Sequence, residues 1–243
     1  MKSIFILGAS SDIGKALSYE YAKDGYSLIL SARDSSVLND LKIDLEVKYK
    51  VQVDLVNLNL ESFREIESII SSYHEKLSGF VLMAGYLGEQ NLAESDSLEA
   101  IKLMNINYTG SCLALEQAAK ILKTTRNSFI IGVASVAGLR GRQSNYYYGS
   151  AKAGLISFLS GLRNKMCKHD CHVLTVLPGF VDTKMTAHLD LPKALTASAT
   201  QVAKDIKKAQ KKKKNVIYSL FVWRYIMYII RMIPESIFKK MNL

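Results

Sequence analysis

Apolar runs of strand length alternate along this chain with segments of helical length. The runs are continuous rather than alternating in polarity, which is typical of strands buried on both faces of a parallel sheet. The predicted strands are Ser3–Leu7, Tyr26–Ala32, Val51–Leu55, Gly79–Met83, Ser128–Ser135, His172–Leu177 and Asn215–Tyr218. The predicted helices are Ile13–Lys23, Val37–Val47, Leu60–Lys76, Leu98–Lys123, Tyr148–Lys168 and Leu220–Ile233. This order predicts a single doubly wound α/β domain over residues 1–243, with a mainly parallel seven-stranded sheet and helices on both faces.

Composition is consistent with one folded domain in a reducing compartment. Of the 243 residues, 49% are hydrophobic and 22% are charged, which excludes a disordered chain. Three cysteines are too few for a disulfide framework, and the apolar run Ile4–Leu7 is too short for a signal peptide, so we expect a cytoplasmic protein. Cys167, His169, Cys171 and His172 crowd together, but no second ligand pair follows, so no metal site is predicted.

The net charge of +10 is concentrated at the C-terminus, where residues 204–243 carry eleven basic and two acidic residues. Within this basic segment, Leu220–Ile233 predicts an amphipathic helix with Arg224 and Arg231 on a polar stripe. Such a helix is suited to an anionic membrane surface, which would place the protein peripherally at the inner face of a membrane. It is equally suited to packing in the core or in a dimer. Its aromatic residues lie within aliphatic runs, so nucleic acid is not a predicted partner.

A glycine-containing loop, residues 8–14, connects the first predicted strand to the first predicted helix. Glycine allows a tight turn and a close approach of the backbone to a pyrophosphate, and the helix N-terminus attracts the anion. In the first strand–helix turn of an alternating chain, this loop predicts a Rossmann-type dinucleotide site. The predicted contacts in this phosphate loop are Gly8, Ser10, Ser11, Asp12, Ile13 and Gly14.

At this loop the chain resembles the short-chain dehydrogenase/reductase family, and the resemblance extends over roughly residues 1–185. The family loop is Thr-Gly-x-x-x-Gly-x-Gly, whereas Leu7 replaces the threonine here and Asp12 replaces the middle glycine. A carboxylate beside a pyrophosphate is electrostatically unfavourable. We therefore expect Asp12 to cap the helix by accepting the N–H of Gly14 or Lys15.

The second predicted strand ends in Ala32-Arg33, where the adenosine ribose of a dinucleotide would lie. An arginine there pairs with a 2′-phosphate, so NADP is the predicted cofactor and NAD is less favoured; alternatively, Arg33 is a solvated loop residue. By resemblance, Asp54 and Leu55 form the adenine-binding pair. Ala84 and Gly85 match the end of the family's Asn-Asn-Ala-Gly, and Met83 replaces the preceding asparagine.

Tyr148 and Lys152 are four residues apart, which places both on one face of a helix. A neighbouring cation favours the phenolate, so we expect Lys152 to bring the pKa of Tyr148 toward neutrality. The same spacing recurs at Tyr19 and Lys23, which we interpret as surface residues of the first helix.

Context distinguishes Tyr148 and Lys152 from the pair on the first helix, because Ser135 ends a predicted strand thirteen residues before Tyr148. With Asn107, these residues match the family's catalytic tetrad. The resemblance implies that Ser135 binds the substrate oxygen and Tyr148 transfers a proton. It also implies that Lys152 holds the nicotinamide ribose and that Asn107 supports a water chain.

The segment after the sixth predicted strand resembles the family's Pro-Gly-x-x-x-Thr, which covers the nicotinamide amide. The residues expected to do so here are Pro178, Gly179, Val181 and Thr183. Residues 183–199 then correspond to the family's substrate loop. The basic C-terminal segment is loosely similar to that of reductases acting on lipid-linked sugars or ketolipids, which implies an amphiphilic substrate.

Two functions remain open from the sequence. The first is an NADP-dependent oxidoreductase that interconverts a carbonyl and a secondary alcohol, as a homodimer or homotetramer. The alternative is a non-catalytic NADP-binding sensor or scaffold, in which Asp12 and Met83 mark relaxed constraints. The intact Ser135, Tyr148 and Lys152 favour the enzyme.

Overall fold

A computed structural model describes residues 2–187 and 190–241. Its strands are β1 (Ser3–Leu7), β2 (Ser27–Ala32), β3 (Val53–Asn57), β4 (Leu77–Leu82), β5 (Ser128–Val133), β6 (Cys171–Pro178), β7 (Phe180–Asp182), β8 (Thr196–Ser198) and β9 (Val216–Ser219). Seven of them form one parallel sheet in the order β3-β2-β1-β4-β5-β6-β9, while β7 and β8 form a separate parallel pair. The predicted fold class is therefore confirmed.

Helices cover both faces of the sheet. They are α1 (Asp12–Ala22), α2 (Asn39–Tyr49), α3 (Phe63–Ser71), α4 (Gln90–Ser95), α5 (Ser97–Met104), α6 (Gly110–Leu122), α7 (Tyr146–Met166), α8 (Ala199–Lys211), α9 (Val222–Met232) and α10 (Glu235–Phe238). In β1, Ile4 and Ile6 face a core cluster shared with α1, α2 and α8, whereas Phe5 and Leu7 face a second cluster shared with α3, α6 and α7. Burial on both faces explains the continuous apolar strands.

The long predicted helix Leu98–Lys123 is interrupted. It consists of α5, a π-helical turn at Asn105–Thr109, and α6. The wider turn coincides with the point where α6 touches the loop before α3, since a Cβ on Gly110 would overlap the Leu60 carbonyl. Continuous apolar periodicity gives no sign of such a turn.

Several predicted boundaries are wrong. The third strand is β3, two residues later than predicted at both ends, and the following helix is α3, shorter than Leu60–Lys76. Five elements were not predicted from the sequence, namely β7, β8, α4, α8 and α10. The lysines of α8 obscured its apolar positions Val202, Ile206 and Ala209, which are buried on the sheet.

None of the helices in residues 2–187 and 190–241 is long and apolar enough to span a membrane.

Candidate active site

A cavity of about 560 Å³ lies at the carboxyl ends of β1, β2, β4, β5 and β6. The strand order reverses between β1 and β4, and such a switch point opens a crevice at this edge of a parallel sheet. The predicted site residues that line it are Gly8, Ser10, Ser11, Asp12, Ile13, Arg33, Ala84, Gly85, Ser135, Tyr148, Lys152, Pro178, Gly179, Val181 and Thr183. Gly14, Asp54, Leu55 and Asn107 do not line it.

The phosphate loop is held tightly at its first glycine. Gly8 has a φ of +90°, and a Cβ there would overlap the backbone of Ala84 after β4. Ser11 caps α1, because its Oγ accepts a hydrogen bond from the Gly14 N–H at 3.1 Å and donates one to the Gly8 carbonyl at 2.8 Å. These contacts bring the N-terminus of α1 to the cavity wall.

Asp12 has a different partner from the predicted one. Since Ser11 already caps α1, the Asp12 carboxylate does not bond Gly14 or Lys15 but accepts the backbone N–H of Lys184 at 2.8 Å. The residue that departs from the family pattern therefore joins the phosphate loop to the predicted substrate loop. Residues 188 and 189 of that loop lie outside the described part of the chain.

Arg33 follows β2 and lines the cavity with an exposed side chain. The neighbouring Asp34 carboxylate accepts the Ser36 N–H at 3.0 Å, and hydrogen bonds from the Ser36 side chain and backbone lower its pKa. The predicted end of the third strand is incorrect, because Asp54 and Leu55 lie within β3, opposite Ile29 and Leu30 of β2.

The strand instead ends at Asn57, and Leu58, Asn59 and Leu60 reach the cavity. The exposed Asp54, on a strand at the edge of the sheet, has the polarity expected of a strand end, which accounts for the error.

Ser135, Tyr148 and Lys152 converge as the sequence predicts. Ser135 follows β5, its Oγ accepts the Ala137 N–H at 3.1 Å, and a side-chain hydrogen bond joins it to Tyr148. The Lys152 ammonium lies 5.6 Å from the centre of the Tyr148 ring and 3.5 Å from the Val133 carbonyl. The turn after Ser135 packs directly on α7, because a Cβ on Gly138 would overlap the backbone of Lys152 and its neighbour.

Burial controls the protonation of this pair. It raises the pKa of Tyr148 to about 12, while the Ser135 hydrogen bond acts in the opposite direction. It also lowers the pKa of Lys152, which is only 3% exposed, to about 8. The expectation that Lys152 brings the pKa of Tyr148 toward neutrality is therefore wrong for this structure, because removal from water disfavours both charged forms. The phenol stays protonated at neutral pH.

Asn107 lies in the π-helical turn, fully buried. Its Nδ2 donates to the Tyr86 carbonyl at 2.6 Å and to the Leu103 carbonyl at 3.0 Å, and its Oδ1 accepts the Tyr86 N–H at 3.1 Å. The side chain thus binds the loop after β4 and leaves little capacity for the predicted water chain. This loop carries Gly85, so Asn107 positions part of the cavity wall.

Helix α9 closes the far wall through Trp223, which the sequence analysis did not assign to the site. Its indole N–H donates to the Leu195 carbonyl at 3.1 Å, and its ring lies perpendicular to Phe180 at 5.0 Å. A Cβ on Gly179 would overlap the indole. Arg140 fixes the end of the helix by donating to the Ile230 carbonyl at 2.6 Å.

Other wall residues were also missed, because tertiary contacts rather than a motif bring them to the cavity. They are Leu58, Asn59, Leu60, Tyr86, Leu87, Arg142 and Asn145, whereas Lys184, Met185 and Thr186 belong to the predicted substrate loop.

Two curated relatives are similar to this chain in sequence. An uncharacterized oxidoreductase of Mycobacterium tuberculosis is 29% identical over 241 residues, which is 98% of this chain and 96% of the relative. An NADP-dependent 3-hydroxy acid dehydrogenase of Schizosaccharomyces pombe is 29% identical over 201 residues, 79% of this chain and 78% of the relative.

A short-chain dehydrogenase from Sphingobium yanoikuyae, solved in complex with NADPH, has the same fold, with a TM-score of 0.83 at 18% identity over 97% of this chain and 98% of that one. The model of the short chain dehydrogenase family matches residues 2–194. The match covers most of the chain, which therefore belongs to the short chain dehydrogenase family.

Proposed function

We propose that the protein is an NADP-dependent oxidoreductase that interconverts a carbonyl compound and a secondary alcohol. The observation that carries this proposal is that Ser135, Tyr148 and Lys152 line one cavity together with the phosphate loop. The Schizosaccharomyces relative is named as NADP-dependent, and the Sphingobium structure contains NADPH, which supports this choice of cofactor.

The residues around the cavity fit such a dinucleotide. The tight turn at Gly8 and the N-terminus of α1 suit a pyrophosphate, and Arg33 suits a 2′-phosphate. When bound, the nicotinamide supplies or accepts the hydride. The remaining proposed contacts are Ser10, Ser11, Asp12, Ile13, Leu58, Asn59, Ala84, Gly85, Tyr148, Lys152, Pro178, Gly179, Val181 and Thr183. Gly14 supports the loop by close packing, because a Cβ there would overlap the Gly8 carbonyl and the Ser11 hydroxyl.

In the reducing direction, Tyr148 donates its phenolic proton to the substrate oxygen. A pKa of about 12 keeps that proton in place at neutral pH until the oxygen becomes basic. Ser135 donates a hydrogen bond to the same oxygen, and Lys152 stabilises the phenolate that remains. Asn107 acts through the Tyr86 loop and is a positioning residue.

The decisive test combines NADPH binding, followed by fluorescence, with NADPH oxidation on a panel of ketones and aldehydes. The proposal expects binding, and turnover that depends on Tyr148. Binding without turnover of any carbonyl or alcohol would favour the sensor or scaffold.

The cofactor assignment is tested at Arg33. Loss of its guanidinium in Arg33→Ala removes charge-assisted hydrogen bonds of about 1.5–3 kcal/mol, so we expect NADPH affinity to fall roughly 10- to 100-fold. NADH affinity should change little, since NADH has no 2′-phosphate. Equal affinity of the wild type for both cofactors, measured by titration, contradicts the assignment.

The finer part of the proposal is an amphiphilic substrate taken from an anionic membrane surface. One side of α9 buries Trp223 at the cavity, while the other exposes aromatic and aliphatic side chains. This outer face of α9 consists of Tyr225, Tyr228, Ile229 and Met232, each at least 60% exposed, with exposed Arg224 and Arg231 beside them. Apolar and basic groups together suit an anionic bilayer, and the same helix borders the cavity.

Cosedimentation with anionic phosphatidylglycerol vesicles tests this surface. Each basic residue near an anionic leaflet contributes about 1 kcal/mol, so Arg224→Gln with Arg231→Gln should weaken vesicle binding by about tenfold or more. The matched control, Lys123→Gln with Arg126→Gln, removes two exposed charges just before the amino end of β5, whereas the cavity lies at the carboxyl ends of the strands, and should bind like the wild type. If the wild type does not sediment, or only dimerises through α9, the membrane proposal is wrong.

We also propose a cytoplasmic homodimer or homotetramer. Cys112, Cys167 and Cys171 are all free, which supports a reducing compartment. Leu98 and Ile101 of α5 are 72% and 53% exposed, which supports association between subunits. Sedimentation equilibrium measures the oligomeric state.

A further inference from the structure

Five charged side chains among the described residues line the cavity, and four of them are basic. Asp12 binds the Lys184 backbone, Arg33 lies at the end of β2, and Lys152 lies beside Tyr148. These contacts and the proposed function give each of them a role. Arg142 and the Lys184 ammonium are left without one; Lys184 is exposed, whereas Arg142 is half-buried.

Arg142 is half-buried, in the loop between Ser135 and Tyr148. Within residues 2–187 and 190–241, its guanidinium has no hydrogen bond or ion pair. The neighbouring Arg140 is different, since it donates to three carbonyls at the end of α9 and pairs with Glu235 at 3.0 Å. Arg163 is likewise bonded to two backbone carbonyls and a threonine hydroxyl. A half-buried guanidinium that lines a cavity without an anionic partner is available to bind an anion there.

Asn145 provides a second unpartnered group on the same wall. Its side-chain Oδ1 is buried and has no hydrogen-bond partner among the described residues. It occupies the N-cap position of α7 but makes no side-chain cap there. The positive end of the dipole of α7 therefore lies at this wall, and it favours a negative group near Arg142.

The rest of the cavity wall includes apolar side chains. Leu87, Phe180 and Trp223 line the same cavity, and Trp223 is held in place by its bond to the Leu195 carbonyl. A ligand that satisfies both parts carries an anionic group at one end and an apolar portion at the other.

We propose that Arg142 and Asn145 form a specificity subsite that binds an anionic substituent of the substrate, a carboxylate or a phosphate, with Asn145 accepting a hydrogen bond from an adjacent hydroxyl or N–H. This inference rests on the proposed function and assigns its substrate class: ketones, and the corresponding alcohols, that carry a negative charge near the reacting carbon. Arg142 acts on substrate affinity and orientation, while the proton transfer stays with Tyr148.

Matched pairs of probes separate charge from shape. The first pair is acetoacetate and its ethyl ester, and the second is dihydroxyacetone phosphate and dihydroxyacetone. Binding of each probe to the NADP⁺-loaded protein is measured by calorimetry, because the oxidised cofactor cannot reduce the ketone and the complex stays intact. We expect at least one anion to bind about 10- to 100-fold more tightly than its neutral partner, as for a charge-assisted hydrogen bond. The preferred pair distinguishes a carboxylate from a phosphate.

Variants at the subsite test whether Arg142 causes the preference for the anionic probe. Arg142→Gln should abolish the anion preference, and Arg142→Lys should retain part of it. Asn145→Ala should weaken binding of the anionic probe by a smaller factor. Arg126→Gln removes an exposed arginine outside the cavity wall and should behave like the wild type. Unchanged NADP⁺ affinity and circular dichroism show that each variant is folded.

If neither anion binds more tightly than its neutral partner, or if Arg142→Gln keeps the preference, the subsite proposal is wrong. That result leaves the proposed oxidoreductase intact as long as NADPH binds and Tyr148-dependent turnover persists. Loss of both the anion preference and all turnover of neutral carbonyls would instead contradict the proposed function.

Discussion

Two helices of this protein carry a tyrosine and a lysine four residues apart. In α1, the Tyr19 hydroxyl donates to Asp44 Oδ2 at 2.6 Å, and Lys23 is exposed at the end of the helix. In α7, Tyr148 and Lys152 lie against the turn after Ser135, at the carboxyl ends of the strands. The spacing is identical, but only the second pair faces a cavity.

The protonation of the two tyrosines is perturbed in the same direction by different causes. The pKa of Tyr19 is raised to about 12, first by its hydrogen bond to the Asp44 carboxylate and then by burial. The pKa of Tyr148 is also raised to about 12, by burial alone, against the effect of Ser135. A shifted pKa therefore does not identify the functional tyrosine. Its placement beside a serine and a buried lysine in a crevice does.

The largest expected difference between the two pairs is in turnover. Tyr148→Phe keeps the ring and removes the transferable proton, so kcat should fall by about 10²–10⁴-fold while NADPH affinity stays close to wild type. Tyr19→Phe removes an equivalent hydroxyl on α1 and should leave kcat unchanged. Steady-state kinetics with fluorescence titration of NADPH measures both. Comparable losses in the two variants, or near-normal turnover in Tyr148→Phe, contradict the mechanism.

The lysines should differ in their effect on stability. In the folded protein the pKa of Lys152 is lowered from its usual 10.5 to about 8, so below pH 8 the fold must keep a disfavoured charge buried. Lys152→Met removes that charge and should raise the free energy of unfolding at pH 7 by about 2–4 kcal/mol while reducing turnover.

The effect of Lys152 on the free energy of unfolding should depend on pH. The folded state binds fewer protons at Lys152 than the unfolded state between pH 8 and 10.5, so the wild type should gain stability relative to Lys152→Met as pH rises through this window. Lys23→Met, at an exposed position, should show neither effect. Urea denaturation at pH 7 and pH 10 measures the difference, and equal stability of wild type and Lys152→Met at both values contradicts it.

The parts of the site that follow a local pattern were predictable from the sequence. The phosphate loop and Ser135 directly follow apolar strands, and Tyr148 and Lys152 lie on one helix face, so spacing and period determine their placement. The sheet was predictable for the same reason, since its strands are continuous apolar runs.

The rest depends on contacts between distant segments. Trp223 reaches the cavity through tertiary contacts, a hydrogen bond to the Leu195 carbonyl and edge-on packing against Phe180. Asp12 bonds Lys184 across a separation of 172 residues. Asp54 resembles a strand end because an exposed edge strand tolerates polar residues in its middle. A single sequence contains no local signal for any of these.

The smallest expected effect concerns the packing that holds Tyr148 and Lys152 beside Ser135. Gly138, in the turn after Ser135, lies so close to α7 that an added Cβ would meet the backbone of Lys152 and Ala153. Gly138→Ala must push this turn away from the helix, which should cost about 1–3 kcal/mol of stability and lower kcat by separating Ser135 from Tyr148.

The control variant is at Gly161 of α7, which has open space where an alanine methyl group would lie, with no atom within 4 Å. Gly161→Ala should therefore stabilise the protein by about 0.5–1 kcal/mol through helix propensity and leave kcat unchanged. Thermal unfolding and steady-state kinetics of the two variants separate close packing at the catalytic turn from a general effect of adding a methyl group. Equal responses of the two variants would mean that the contact between the turn and α7 does not set the geometry of the pair.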